Sequence, residues 1–349
     1  MKVNLTSSSR LSQVDFSNLP FGKTFSDHML VAYYKGGAWQ EPEIMPYGPL
    51  PHTPAMHALH YGQAVFEGMK AYNDVSGEKV WLFRPEENYH RLNKSAERLC
   101  IPSVPKEVFF EGLKKLIEID RAWIPRAEGH SLYIRPFLFA SSEYIMATPA
   151  DEYCFVILTS PTASYYSGSV KLKVETHFTR AAKGGTGAAK AAGNYAASFY
   201  PMSLAREEGY MQLLWTDGKD HKFLEEVGTM NLFFRKGDQL FTPPTSDSIL
   251  SGITRKSVLE LLPKIGIEAK VEPIHIQDFQ AGLEDGSITE VFGVGTAAVV
   301  SPVDTVGIEG KNYKVEVKED GHWKKLKTAL TDIQFGRSED EFGWRFPLI

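Results

Sequence analysis

Cysteine is nearly absent. The chain has only Cys100 and Cys154 among its 349 residues. Two thiols cannot build a disulfide framework or a cysteine-rich metal centre. No metal site is expected, and a reducing compartment is the simplest reading. Basic excess is also missing: 38 Lys and Arg face 43 Asp and Glu, for a formal net charge of -5. Nucleic-acid surfaces show the opposite imbalance. No apolar run reaches membrane-spanning length; Met29–Tyr34 and Cys154–Leu158 are strand-sized. The opening MKVNLTSSSRLSQVDF lacks the apolar stretch of a secretory signal. Repeats, heptads and low-complexity tracts are missing too. These exclusions leave a cytoplasmic globular protein with no nucleic-acid or membrane partner. Its 43% hydrophobic and 23% charged content is ordinary for that class. Its length suggests two domains.

What is present is a mixture of strand and helix signals in both halves, which argues an α/β or mixed α+β fold. Met29–Tyr34 followed by Gly36-Gly37 reads as strand and turn. Val80–Phe83 is another short strand. Arg84-Pro85-Glu86-Glu87 then opens a helix, with proline early and acids in the first turn. A second helix is expected over 105–123, and buried strands over 131–139 and 153–158. Pro, Ser and Gly cluster in SPTASYYSGS at 160–169, which marks a linker. Val170–Glu175 alternates as a half-wet strand. A helix is expected over 195–208, short strands near 211–215, 231–235 and 239–241, and a helix over 254–265. The stretch Thr289–Val300 reads as a strand with glycines at a turn.

The most unusual stretch is Gly187–Ser198, GAAKAAGNYAAS, which isolates Lys190 among small residues. It is not a phosphate-binding P-loop, because Ala191 stands where that motif needs a hydroxyl. It is not a dinucleotide fingerprint, because Lys190 occupies the third glycine position. A flexible loop with a solvated lysine remains open on this stretch alone. The competing reading is an amine in a cofactor cavity, where desolvation makes lysine a nucleophile toward an aldehyde. That reading demands an acid for a pyridine nitrogen and an anion site for a phosphate. Glu225-Glu226-Val227-Gly228 offers the acid, although a Glu-Glu pair alone more often marks a solvated turn. Gly252 before a helix opening at Ile253 and Thr254 offers the anion site. Gly293-Val-Gly295-Thr296-Ala297 offers a second set of free N–H groups.

With these residues assembled, the chain resembles the branched-chain amino-acid aminotransferases, fold-type IV pyridoxal-phosphate enzymes, and their larger eukaryote-like subgroup in particular. The resemblance spans nearly the whole chain. It is carried by LHYGQAVFEGMKAY (59–72), LYIRPFLF (132–139), KAAGNYAAS (190–198), EEVGTMNLFF (225–234), SGITR (251–255) and EVFGVGTA (290–297). It implies a smaller N-terminal α/β domain over 1–163, an interdomain loop over 164–176, and a larger cofactor domain with a pseudo-barrel of strands over 177–349. It implies pyridoxal 5′-phosphate as cofactor and a homodimer in which the partner completes part of the pocket. Lys190 would form the internal aldimine and shuttle the proton to and from the substrate α-carbon. Glu226 matches the acid at the ring nitrogen, Tyr195 the tyrosine at the phenolic oxygen, and Arg91 the arginine on the phosphate. Ile253, Thr254 and Thr296 match further phosphate donors, and Arg180 a residue near the cofactor. The implied substrate pocket comprises Tyr61, Phe66, Tyr133, Arg135, Tyr165, Thr229, Thr296 and Ala297, with Met146 as a lid residue. Aromatic walls suit Leu, Ile and Val, while Arg135 suits the second carboxylate of glutamate. A D-amino-acid transaminase, an aminodeoxychorismate lyase and a non-catalytic cofactor carrier are the competing readings. The chain departs from some relatives at a Cys-x-x-Cys motif, where it carries Ala298 and Ser301, so no thiol switch is expected there.

Overall fold

A computed structural model of the chain describes residues 1–74, 76–163 and 168–348. The residues sort into two compact units: Met1–Tyr165 with Ala189–Gly193 and Ile333–Ile349, and Tyr166–Ala188 with Asn194–Asp332.

The first unit is organised by a ten-stranded sheet. Its centre is the antiparallel pair Ser131–Ala140 and Tyr153–Thr162, which stay in register from Ser131↔Thr162 to Ala140↔Tyr153. Both strands are buried along most of their length, which explains their continuous apolar sequence rather than an alternating one. His28–Lys35 flanks one side of the pair. Met69–Asn73, Val80–Phe83 and Arg345–Pro347 follow in order on the other. The short strand Ala64–Phe66 also pairs with Ser131–Ala140.

Two helices pack into this unit's core. Pro85–Arg98 begins with proline and two acids, and its buried residues Pro85, Asn88, Leu92, Ser95 and Ala96 recur at helical spacing. Lys106–Ile119 buries Phe109, Leu113, Leu116 and Ile117. The expected second helix therefore stops four residues short, and its tail Arg121–Trp123 is a 3-10 turn that sinks Trp123 into the core. Each such large apolar side chain contributes about 1.5–3 kcal/mol on burial.

In the second unit, six strands close a ring. Met230–Lys236 pairs with Ile288–Gly295, then follow Val299–Ile308, Val170–Val174, Gln212–Thr216 and Phe223–Val227, which pairs back onto Met230–Lys236. Val170–Val174 alternates buried and wetter positions, as its sequence requires. Phe223–Val227 was not expected as a strand, because the Glu225-Glu226 doublet reads locally as a turn. The strand has the buried pattern of its neighbours from Leu224 on. The single helix expected over 195–208 is two helices, Ala192–Ala196 and Phe199–Glu207. The helix expected over 254–265 runs from Ile253 to Leu261 and tightens to 3-10 geometry through Ile265.

Candidate active site

In the first unit, the chain around Lys190 is held by its backbone. Lys190 N–H donates to Ser95 Oγ at 3.0 Å. Its carbonyl accepts from Phe66 N–H at 3.1 Å. Ala191 forms an isolated bridge with Val65. The small residues on either side of Lys190 let this segment lie against the Ala64–Phe66 strand. Lys190 Nζ stands 4.7 Å from the centre of the Phe66 ring. The solvated-loop alternative thus gives way to a lysine whose main chain is fixed on both sides.

Arg91 lies on the helix that carries Ser95, one turn earlier. Its Nε and Nη2 grip both oxygens of Glu67 at 2.6 and 2.8 Å. Asn88, one turn earlier again, donates to the same carboxylate at 2.7 Å. Burial pushes the Glu67 carboxyl up, but Arg91, with help from Lys190 and Asn88, more than offsets this and leaves it below the ordinary glutamate value. Sequence reasoning missed Glu67, Asn88 and Ser95. The signal available was the i, i+3, i+7 spacing of Asn88, Arg91 and Ser95, three polar residues on one helix face.

Phe66, Tyr133 and Arg135 also meet. The Arg135 guanidinium lies 4.6 Å from the centre of the Phe66 ring, and its Nη2 donates to the Tyr133 hydroxyl at 3.0 Å. Arg135 Nε is buried with no hydrogen-bond partner among the described residues, an unmet donor beside an aromatic wall. Gly68 permits the close approach of Tyr133, because a Cβ there would overlap the phenol oxygen. Tyr61 and Met146 lie elsewhere in the unit. Both are exposed and both border His57, whose ring centroid is 4.8 Å from that of Tyr61 and whose Nε2 is 3.1 Å from the Met146 carbonyl. Tyr165, part of the expected pocket, lies outside the described residues.

In the second unit, Glu226 is the centre of a polar cluster. Arg180 Nη2 pairs with its Oε1 at 2.8 Å, both side chains being only 8% exposed. Asn231 Nδ2 and Leu250 N–H each donate to Oε2 at 3.2 Å. Arg180 also donates to the carbonyls of Gly187 and Ser248. Glu225 points to a different partner, the Ser248 hydroxyl. Gly252 precedes the helix Ile253–Leu261, and a Cβ on it would overlap Asn231 Oδ1. Ile253 and Thr254, both buried, open that helix. Its first N–H groups and dipole suit an anion. Thr296 and Ala297 form the tight turn between Ile288–Gly295 and Val299–Ile308. Thr229 is exposed on the turn between Phe223–Val227 and Met230–Lys236. Tyr195, half-buried, lies in the short helix Ala192–Ala196.

The family described as amino-transferase class IV matches residues 64–306. The chain is 46% identical over 349 residues to branched-chain-amino-acid aminotransferase 2 of Bacillus subtilis (strain 168), covering 99% of this chain and 96% of that protein. It is 41% identical over 338 residues to the branched-chain-amino-acid aminotransferase of Mycolicibacterium smegmatis, covering 94% and 92%. Among solved structures, it superposes on the branched-chain amino acid aminotransferase of Escherichia coli with a TM-score of 0.73 and 28% identity, over 91% of this chain and 98% of that one. It superposes on the T.th. branched-chain amino acid aminotransferase with pyridoxamine 5′-phosphate with a TM-score of 0.73 and 25% identity, over 91% and 98%.

Proposed function

Because the chain belongs to the class IV amino-transferases, we propose that it is a pyridoxal-phosphate-dependent branched-chain amino-acid aminotransferase. It exchanges the amino group of L-leucine, L-isoleucine or L-valine with 2-oxoglutarate, reversibly, in two half-reactions. The observation that carries this reading is the main chain of Lys190, fixed on both sides with its amine over Phe66.

The residues present fit the cofactor. Glu226 is a buried carboxylate paired with Arg180 at 2.8 Å, the kind of acidic partner that a pyridine nitrogen needs. Gly252 precedes the Ile253–Leu261 helix, and Asn231 fills the space that a side chain on it would take. When bound, pyridoxal phosphate supplies an aldehyde that takes the amino group and a ring that accepts the electron pair released at the substrate α-carbon. Lys190 Nζ carries the proton that leaves and returns to that carbon. Glu226 holds a proton on the ring nitrogen. Tyr195 donates from its hydroxyl to the phenolic oxygen. Arg91, the N–H groups of Ile253 and Thr254, and the Thr296 hydroxyl hold the phosphate, and Arg180 orients Glu226. Thr296 and Ala297 offer N–H groups to the substrate α-carboxylate, with Thr229 beside them. Phe66 and Tyr133 give an apolar side chain a flat wall. Arg135, with an unmet donor beside that wall, takes the second carboxylate when glutamate is the substrate. The family pattern adds Tyr61, Tyr165 and Met146 to the pocket, and Tyr61 and Met146 are exposed in the single chain, as residues that reach a partner's pocket would be.

The protein works as a cytoplasmic homodimer. What supports assembly is that Leu59, Tyr61, Ile145 and Met146, four large apolar side chains, are all exposed in the single chain. No helix among the described residues is long and apolar enough to cross a membrane.

The test is chemical trapping. Borohydride treatment of the holoprotein, followed by peptide mass analysis, is expected to place a phosphopyridoxyl group on Lys190. A group on another lysine, or on none, would refute the assignment.

A further inference from the structure

Glu67 is a fully buried carboxylate that takes no part in the chemistry described above. Its two oxygens receive four donors: Arg91 Nε at 2.6 Å, Arg91 Nη2 at 2.8 Å, Asn88 Nδ2 at 2.7 Å and its neighbour Gly68 N–H at 3.1 Å. Its own N–H is tied to the Pro136 carbonyl at 2.7 Å. Such a cluster is a poor device for stability. Replacing a buried ion pair with apolar residues of similar volume is often neutral or stabilising. What a bidentate pair does supply is geometry: two parallel hydrogen bonds fix the plane of the guanidinium, not merely its charge. The same helix face that presents Asn88 and Arg91 presents Ser95, which holds the Lys190 main chain. Orientation at Arg91 and position at Lys190 are thus set from one rigid element.

We propose that Glu67 is a positioning residue for the cofactor phosphate. It fixes the guanidinium plane of Arg91 before the phosphate arrives. This rests on the reading of Arg91 as a phosphate residue of a pyridoxal-phosphate enzyme. The work Glu67 does is preorganisation: without it, the arginine must be ordered at the moment of binding, and affinity falls by that cost.

The experiment titrates apoprotein with pyridoxal phosphate and follows cofactor absorbance, for the wild type, Glu67→Gln and Asn88→Ala. Apoprotein melting is measured alongside, as are the leucine kinetics at saturating cofactor. Glu67→Gln turns an amide N–H toward an arginine N–H. It is expected to raise the cofactor dissociation constant roughly tenfold or more, while the Michaelis constant for leucine stays put once cofactor is saturating. Asn88→Ala removes one donor to the carboxylate and should move the constant the same way by less. A folded Glu67→Gln protein with the wild-type dissociation constant overturns the proposal, and so does a lowered melting temperature with that constant unchanged. If Glu67→Gln does not fold, Asn88→Ala decides: weaker cofactor binding supports the assignment and unchanged binding overturns it. Wild-type protein that takes up no cofactor overturns this proposal together with the functional reading beneath it, whereas normal uptake by all three proteins removes the role of Glu67 alone.

Discussion

Glu225 and Glu226 are sequence neighbours on one strand, so their side chains leave it on opposite faces. Glu226 meets Arg180, Asn231 and the Leu250 N–H. Among the described residues, Glu225 accepts from the Ser248 hydroxyl and its Oε2 has no hydrogen-bond partner. Burial raises the Glu225 pKa above the ordinary value, against the Ser248 hydrogen bond and the nearby Arg180 charge. A carboxyl whose pKa is raised on folding adds stability at low pH and loses it as pH climbs through the folded value. Glu225→Gln should therefore melt higher than wild type at neutral pH, with the gap closing in acid, and should keep its activity. Glu226→Gln should lower kcat on the order of a hundredfold, the usual cost of removing a preorganised charge from a reacting centre. The reverse ranking of the two variants would move the ring-nitrogen role to Glu225. Which glutamate to choose was legible only through the resemblance, because Glu226 directly precedes Val-Gly-Thr. That both are buried was not legible, since a charged doublet reads locally as a solvated turn. Glu67 escaped for a related reason: burying a carboxylate depends on Arg91 and Asn88, both more than twenty residues away.

At the scale of elements, the sequence announces helices better than it announces strand partners. Pro85–Arg98 carries its own start signal, proline followed by two acids, so where it begins could be read. The strand Phe223–Val227 could not be read, because its reason for existing is ring closure between Gln212–Thr216 and Met230–Lys236. The start of Ile253–Leu261 was legible from glycine before a helical run. The structure adds why glycine is needed there: Asn231 occupies the space a side chain would take, and Asn231 in turn donates to Glu226. Gly252→Ala should displace Asn231, cost about 1–3 kcal/mol of stability by overpacking, and weaken cofactor retention. Chemical denaturation of the apoprotein and a cofactor titration check the two effects separately. Unchanged values in both would mean that the asparagine yields freely.

For the whole molecule, the barrel expected from the resemblance is a closed ring of six strands. No local pattern could show that Arg345–Pro347 returns to pair with Val80–Phe83, a contact across most of the chain. Nor could a sequence alone show that Leu59, Tyr61, Ile145 and Met146 would stay exposed. If these residues form the subunit contact, the double variant Leu59→Asp, Ile145→Asp should shift the protein from dimer to monomer in light scattering, and activity should fall with the dimer fraction. A variant that remains dimeric would place the contact on another face.

Amino-group transfer from a branched-chain amino acid to 2-oxoglutarate through Lys190 is measured by supplying purified holoprotein with nitrogen-labelled L-leucine and unlabelled 2-oxoglutarate and following the label by mass spectrometry. Wild-type protein should deliver the label to glutamate and release the 2-oxo acid of leucine in equal amount, and Lys190→Ala should deliver none. Label that stays in leucine with cofactor-loaded wild-type protein would rule out the transfer, and transfer that survives in Lys190→Ala would rule out Lys190 as its carrier.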